Sequence, residues 1–145
     1  MRTDWDTFFM EEAHRWAERS TCARSRVGCI IVKDKRMLGC GFNGPVSGDD
    51  HCENPNESCL VEGRCLRAAH AEWNALQDAL SKCPEKVVGA TAYITMSPCA
   101  SCFVQLTNAK IKTILFRSVY DNQEHHRIIR GIIERVPHAP YLIRI

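Results

Sequence analysis

An almost unbroken apolar run, Val27-Gly28-Cys29-Ile30-Ile31-Val32, predicts a buried β-strand near the start of the chain. Asp34-Lys35 follows as a turn, and Met37 to Phe42 predicts a second strand. The protein is therefore expected to build a sheet that begins with this pair of strands.

Helical and strand patterns alternate around this pair. Trp5 to Ser20 predicts a helix, because Phe9, Ala13 and Trp16 recur at helical spacing. Downstream, helices are predicted at His70–Leu80, Cys99–Ala109 and Asn122–Arg135, strands at Thr91–Met96 and Lys112–Phe116, and a last strand or ordered tail at Tyr141–Ile145. This order predicts an α/β fold, a three-layer α/β/α sandwich around one mixed sheet of about five strands.

Composition favours one soluble domain that spans residues 1–145, since 45% of the residues are apolar and 25% are charged. No apolar run approaches the roughly 20 residues needed to cross a membrane, and the first residues lack the apolar core of a signal peptide. We therefore expect a cytoplasmic protein. The net charge of +2, without a long Lys/Arg run, favours a small substrate over a nucleic-acid polymer.

The stretch from Asn43 to Arg64 is rich in Gly, Pro, Asn, Asp and Cys, and it predicts a long irregular loop. A loop of this length in a compact domain is usually functional or held by a metal.

Two short motifs carry the chemistry: His70-Ala71-Glu72, and Pro98-Cys99-Ala100-Ser101-Cys102. One imidazole and two thiolates suit Zn²⁺, and three protein ligands leave the fourth tetrahedral position open for water. Each motif is predicted to begin a helix, where the positive end of the helix dipole favours thiolate over thiol. Zinc lowers the pKa of a bound water from 15.7 to about 7, and Glu72 is then placed to move protons. This spacing is the signature of zinc-dependent nucleobase deaminases.

Two other interpretations remain open for these motifs. The cysteines could belong to a closed structural site, in a zinc-stapled binding module without activity, with Glu72 solvated. In the second interpretation, Cys99 and Cys102 form a redox-active pair, but this leaves His70 and Glu72 without a role.

Further motifs occur along the chain in a fixed order: Ser20-Thr21-Cys22, Val27-Gly28, Gly41-Phe42-Asn43-Gly44, His70-Ala71-Glu72 with Asn74-Ala75, and Pro98-Cys99 to Cys102. Together they resemble the deoxycytidylate (dCMP) deaminases of the cytidine deaminase-like superfamily, over roughly Trp5 to Tyr120. The resemblance implies hydrolysis of dCMP to dUMP and ammonia, with dUMP supplied for dTMP synthesis. A modified dCMP, a free cytidine or deoxycytidine, or a tRNA base are the alternative substrates.

The resemblance also implies contacts with the substrate. Asn43 is expected to bind the sugar 3′-hydroxyl. The Ala71 backbone and the Ser97 carbonyl are expected to contact the base, and Tyr120 is expected to lie near the nucleotide. Asn43 could instead be a turn residue beside a glycine, and Tyr120 could be a partly buried surface residue.

A nucleotide phosphate needs cationic or N–H donors, and a guanidinium matches phosphate oxygens with two bonds. Arg24 and Arg26 lead into the first strand, and we favour Arg26.

Four further cysteines, Cys22, Cys52, Cys59 and Cys65, predict a second, structural zinc site, which the resemblance also implies. His51 is an alternative ligand. The remaining cysteines and histidines are expected to be core, surface or packing residues that bind no metal: Cys29, Cys40, His14, His125, His126 and His138. Cys83 has no evident role.

The resemblance further implies a homo-oligomer, with a hexamer favoured, and regulation by dCTP and dTTP. Phe42 stands where the family often has Tyr. In Gly44-Pro45-Val46-Ser47-Gly48 the proline comes one place earlier than in many relatives, some of which bind dCTP and dTTP near this loop, and this departure puts that regulation in doubt. Trp73 and the apolar face of the last helix could serve subunit contacts or core packing equally well.

Overall fold

The computed structural model describes residues 1–22, 24–51, 60–61, 64–65 and 67–145. The helices are α1 (Trp5–Ala17), α2 (Ala71–Lys82), α3 (Pro84–Val87), α4 (Ala100–Asn108) and α5 (Gln123–Arg135). The strands are β1 (Gly28–Lys33), β2 (Arg36–Phe42), β3 (Leu60–Val61), β4 (Arg64–Cys65), β5 (Thr91–Met96), β6 (Thr113–Ser118) and β7 (Tyr141–Arg144).

The β1–β2 pair forms the predicted hairpin. Its turn residues, Asp34 and Lys35, have φ angles of 51° and 62°. Positive φ at both central positions is the conformation of a type I′ turn, whose twist matches that of the flanking strands.

The main sheet has the strand order β2-β1-β5-β6-β7. β1 is antiparallel to both β2 and β5, whereas β5, β6 and β7 run parallel to one another. Parallel neighbours need crossover connections, which α4 and α5 supply. The mixed five-stranded sheet is confirmed, and the last segment of the chain is a strand.

Helices cover both faces of this sheet, which confirms the three-layer sandwich. On one face, Ile30 and Val32 of β1 share an apolar cluster with Phe9 and Met10 of α1. On the other, Cys29 and Ile31 join a larger cluster to which α2, α4 and α5 contribute. Residues 29–32 of the strand are all apolar because alternate side chains enter different cores.

Helix α2 lies unusually close to the edge strand β2. A Cβ added at Gly41 would lie 2.6 Å from the backbone nitrogen of Ala75. Polar side chains of the helix bind the free edge of the strand: Asn74 Nδ2 donates to the Phe42 carbonyl at 2.8 Å, and Asp78 Oδ2 accepts from the Cys40 N–H at 3.0 Å. The edge is therefore covered, as sheet edges generally must be.

Three features differ from the sequence-based expectation. Helix α1 ends at Ala17 instead of Ser20, whose hydroxyl is buried and donates to the Asn43 carbonyl at 2.8 Å. The short helix α3 was not predicted; it begins at Pro84, which suits a first helical position. The strands β3 and β4 pair within the segment expected to be irregular.

Backbone hydrogen bonds between Gly44 and Ala69, of 3.0 and 2.8 Å, hold the two ends of the intervening segment together. They place the end of β2 beside the start of α2. Within the described residues, no helix has the length and apolar character needed to span a bilayer.

Candidate metal and active site

Two helix starts bring the predicted metal ligands together. His70 is the N-cap of α2 and Cys99 is the N-cap of α4, with Cys102 one turn further along. The ligand atoms of the three residues lie within 4.8 Å of one another. His70 Nδ1 is 3.2 Å from Cys102 Sγ and 3.5 Å from Cys99 Sγ. One imidazole nitrogen and two sulfurs in such a cluster fit a zinc site with an open position.

Hydrogen bonds within the cluster favour the ligand form of Cys99. They lower the pKa of its thiol to about 4, first because the Cys102 thiol donates to it and then because of His70. The same bond and burial raise the pKa of Cys102, so that Cys102 is the donor in this pair. The neighbouring Cys99 sulfur in turn raises the pKa of His70. Since the thiolate is the metal-binding form, Cys99 is prepared for a cation.

Glu72 is the second residue of α2 and is only 6% exposed. Burial raises the pKa of its carboxyl group to about 7, because removal from water disfavours the charged form. A carboxyl group with this pKa exchanges protons readily in both directions near neutral pH. A solvated surface position, expected if the site were purely structural, is therefore wrong for Glu72.

The cluster opens into a cavity of about 460 Å³. Its lining includes the predicted residues Asn43, Ala71, Glu72, Ser97 and Tyr120, together with His70 and Cys99. Arg24 also lines the cavity, whereas Arg26 is exposed and is not among the described lining residues. The structure thus brings most of the predicted substrate contacts to one cavity with the metal ligands.

The Asn43 side chain is already engaged within the protein. Its Oδ1 accepts from the Val27 N–H and its Nδ2 donates to the Ser25 carbonyl, both at 2.8 Å. The residue is 8% exposed. Asn43 thereby fixes the backbone of residues 25–27, which forms part of the cavity wall, and its proposed contact with a sugar would add to this role.

Ser97 and Tyr120 are joined at the ends of the parallel strands. Ser97 Oγ accepts from the Tyr120 N–H at 2.7 Å, and the Ser97 N–H donates to the Ser118 carbonyl at 2.8 Å. This connection fixes the segment that leads from β5 into the Cys99 turn.

The second set of cysteines is described only in part. Cys22 and Cys65 both line the cavity, whereas Cys52 and Cys59 lie outside the described residues. Cys29 is fully buried in the core, as predicted, and Cys40 packs beside the smaller cluster.

His125 was expected to be a surface or packing residue, but it lines the cavity. Its Nδ1 accepts from the Ala100 N–H at 2.8 Å, at the start of α4. The sequence signal that could have identified it is its place in the first turn of the helix that follows Tyr120.

The chain is similar in sequence to known zinc-binding deaminases. Residues 3–118 match the family described as the cytidine and deoxycytidylate deaminase zinc-binding region. The chain is 41% identical to ComE operon protein 2 of Bacillus subtilis over 120 residues, which cover 82% of this chain and 62% of that protein. It is 37% identical to the deoxycytidylate deaminase of Mycobacterium phage D29 over 126 residues, which cover 79% and 95% of the two chains.

A solved structure extends the likeness to the whole chain. The dCMP deaminase of cyanophage S-TIM5, in complex with dCMP and dUMP, superposes with a TM-score of 0.79 at 26% identity, covering 100% of this chain and 99% of the other. The chain therefore belongs to the family of cytidine and deoxycytidylate deaminases defined by this zinc-binding region.

Proposed function

We propose that the protein hydrolyses dCMP to dUMP and ammonia. The observation that carries this proposal is the buried Glu72 carboxyl group beside the His70, Cys99 and Cys102 cluster, in one cavity. The substrate is suggested by the relatives, since the phage D29 protein is named a deoxycytidylate deaminase and the S-TIM5 structure contains dCMP and dUMP.

His70, Cys99 and Cys102 would hold a zinc ion, which supplies Lewis-acid activation of water at this site. Glu72 accepts a proton from the attacking water and passes it to N3 of the cytosine ring, as the water oxygen bonds to C4. Glu72 then takes the remaining proton from the hydroxyl on C4 and delivers it to the amino group at C4. The C4–N bond breaks, ammonia leaves, and the ring carries the carbonyl of uracil.

The other lining residues position the nucleotide in this proposal. The Ala71 backbone and the Ser97 carbonyl contact the base, and Asn43 contacts the sugar 3′-hydroxyl. Tyr120 provides an aromatic or hydroxyl contact near the nucleotide. Arg26, or Arg24 from the cavity wall, binds the phosphate. Support comes from the shared cavity, which contains all of these residues except Arg26.

A second, structural zinc held by Cys22, Cys52, Cys59 and Cys65 is also part of the proposal. Cys22 and Cys65 line the same cavity although they are far apart in sequence. A closed four-thiolate site would stabilise the segment between Asn43 and Arg64, whose sequence is rich in Gly, Pro, Asn and Asp.

We further propose a cytoplasmic homo-oligomer, a hexamer in its favoured form, that supplies dUMP for dTMP synthesis and responds to dCTP and dTTP. A reducing compartment fits the free thiols of Cys22, Cys29, Cys40, Cys83, Cys99 and Cys102. Exposed Trp73, Ile128 and Ile133 provide apolar area for subunit contacts. Residues 1–145 would form a single domain within each subunit.

A substrate panel tests the proposed reaction. Purified protein is incubated with dCMP, a modified dCMP, dCTP, deoxycytidine, CMP and a tRNA, and ammonia and the uracil product are both measured. We expect the highest kcat/KM for dCMP, with one ammonia released for each dUMP formed. Turnover of another substrate with dCMP untouched would overturn the choice of dCMP, and no turnover of any of them would favour a binding module.

A further inference from the structure

We propose that His125 is a specificity-determining residue, which binds the phosphate of the nucleotide through its Nε2–H. This inference rests on the proposed function, because it assigns a contact within the same cavity. It adds an imidazole to the phosphate contacts, for which the sequence indicated arginines alone.

A backbone hydrogen bond fixes which nitrogen of His125 carries the proton. Ala100 is the first residue of α4, where backbone N–H groups have no acceptor within the helix. The Ala100 N–H donates to His125 Nδ1 at 2.8 Å. Because Nδ1 is the acceptor, the proton of the neutral imidazole lies on Nε2.

The position of the ring is fixed as well. Asn122 caps α5, accepting from the His125 N–H at 3.3 Å, and the ring of Tyr120 meets the imidazole edge-to-face at a centroid distance of 5.2 Å. His125 is half-buried in the cavity wall. Within the described part of the chain, Nε2 has no hydrogen-bond partner, so this oriented donor is available to a ligand.

The chemistry of the cavity assigns that donor to the anionic end of the substrate. Deamination requires the base to reach the buried Glu72. The phosphate then lies against the rest of the lining, which includes the exposed Arg24 and the half-buried His125. An N–H donor that is held in place before binding loses little entropy on meeting a phosphate oxygen.

Two substitutions separate the functions of the two ring nitrogens. His125→Asn can keep an acceptor near the position of Nδ1 for the Ala100 N–H, but it removes the Nε2 donor. His125→Ala removes both. His138→Asn is the matched control, since His138 is an exposed histidine beside Lys110 and away from this cavity.

The measurement is the preference for dCMP over deoxycytidine, as the ratio of their kcat/KM values. Because hydrogen bonds to charged groups are strong, His125→Asn should lower this ratio about tenfold or more, mainly through the KM for dCMP. His138→Asn should leave the ratio at its wild-type value. An unchanged ratio in His125→Asn, whether both substrates are impaired equally or neither is impaired, would overturn the phosphate contact.

Calorimetric binding of dUMP and deoxyuridine keeps this test independent of turnover. His125→Asn should weaken dUMP about tenfold more than deoxyuridine. Failure of the wild-type protein to deaminate dCMP would refute the proposed function, whereas equal weakening of the two ligands would refute the role of His125.

Discussion

At the scale of single residues, Asn43 shows how one side chain can connect the fold to the cavity. Its amide bridges the Ser25 carbonyl and the Val27 N–H, and its backbone carbonyl accepts from Ser20. The segment that precedes β1 is therefore held against the end of β2. A change at Asn43 should act on stability as well as on substrate binding.

Asn43→Ala should lower the free energy of unfolding by about 2 kcal/mol, because two backbone groups lose their partners. Urea denaturation measures this effect, and Asn108→Ala, at an exposed position that ends α4, is the control. A variant of wild-type stability with a raised KM for dCMP would instead show a role confined to the substrate.

The sequence predicted those site residues whose geometry is local. Cys99 and Cys102 share a helix face because they are one turn apart, and His70 and Glu72 lie two positions apart at one helix start. The contacts of Asn43 with residue 25 and of His125 with Ala100 span 18 and 25 residues. Such pairs arise from the tertiary fold, and a single sequence has no periodic signal for them.

At the scale of secondary-structure elements, the contact between α2 and β2 positions the helix that begins beside His70. Gly41 allows the helix backbone to approach the strand, and Asn74 and Asp78 bind the strand edge. His70 and Glu72 lie at the start of the same helix. A small displacement of α2 therefore moves His70 and the proposed proton carrier, Glu72, together.

Gly41→Ala should impair both stability and catalysis. The added Cβ would lie 2.6 Å from the Ala75 nitrogen and 2.9 Å from the Ala71 carbonyl oxygen, so α2 must shift. Overpacking of this kind costs about 1–3 kcal/mol, and kcat should fall as Glu72 moves. Thermal unfolding and dCMP kinetics measure the two effects.

Gly44→Ala is the matched control for this prediction. A Cβ at Gly44 would have its first neighbour at 3.8 Å, on the Phe42 ring, which is an ordinary contact. Equal losses in the two variants would mean that close packing at Gly41 does not position the helix.

The elements that the sequence predicted are those with strong patterns. β5 was predicted with its observed bounds, Thr91–Met96, and the helical regions of α2, α4 and α5 were found within two residues at each end. The four-residue helix α3 and the two-residue strands β3 and β4 are too short to show a hydrophobic period. Their formation depends on tertiary context.

At the scale of the whole molecule, the sheet and its helices bring segments from across the chain to one cavity. His70 and Cys99 begin different helices, and Cys22, Cys65 and Tyr120 come from three further segments. In the proposed function, Cys99 would bind the catalytic zinc, whereas Cys22 and Cys65 would bind a second, structural zinc. The number of zinc ions bound per chain tests whether both metal sites exist.

Elemental analysis of the purified protein should find two zinc ions per chain. Cys59→Ser should reduce the content to one and weaken stability, since the structural site would lose a ligand. Cys83→Ser changes a partly buried cysteine that does not line the cavity, and this variant should retain two zinc ions per chain. One zinc per chain in both the wild-type protein and Cys59→Ser would remove the second site.

The most direct test of the catalytic assignment compares dUMP formation by the wild-type protein and by Glu72→Gln, with zinc content measured on the same samples. Glu85→Gln, at an exposed position of α3, is the control. Loss of the proton carrier should lower kcat about 10²- to 10⁴-fold with the zinc retained. Wild-type kcat in zinc-loaded Glu72→Gln would contradict the account.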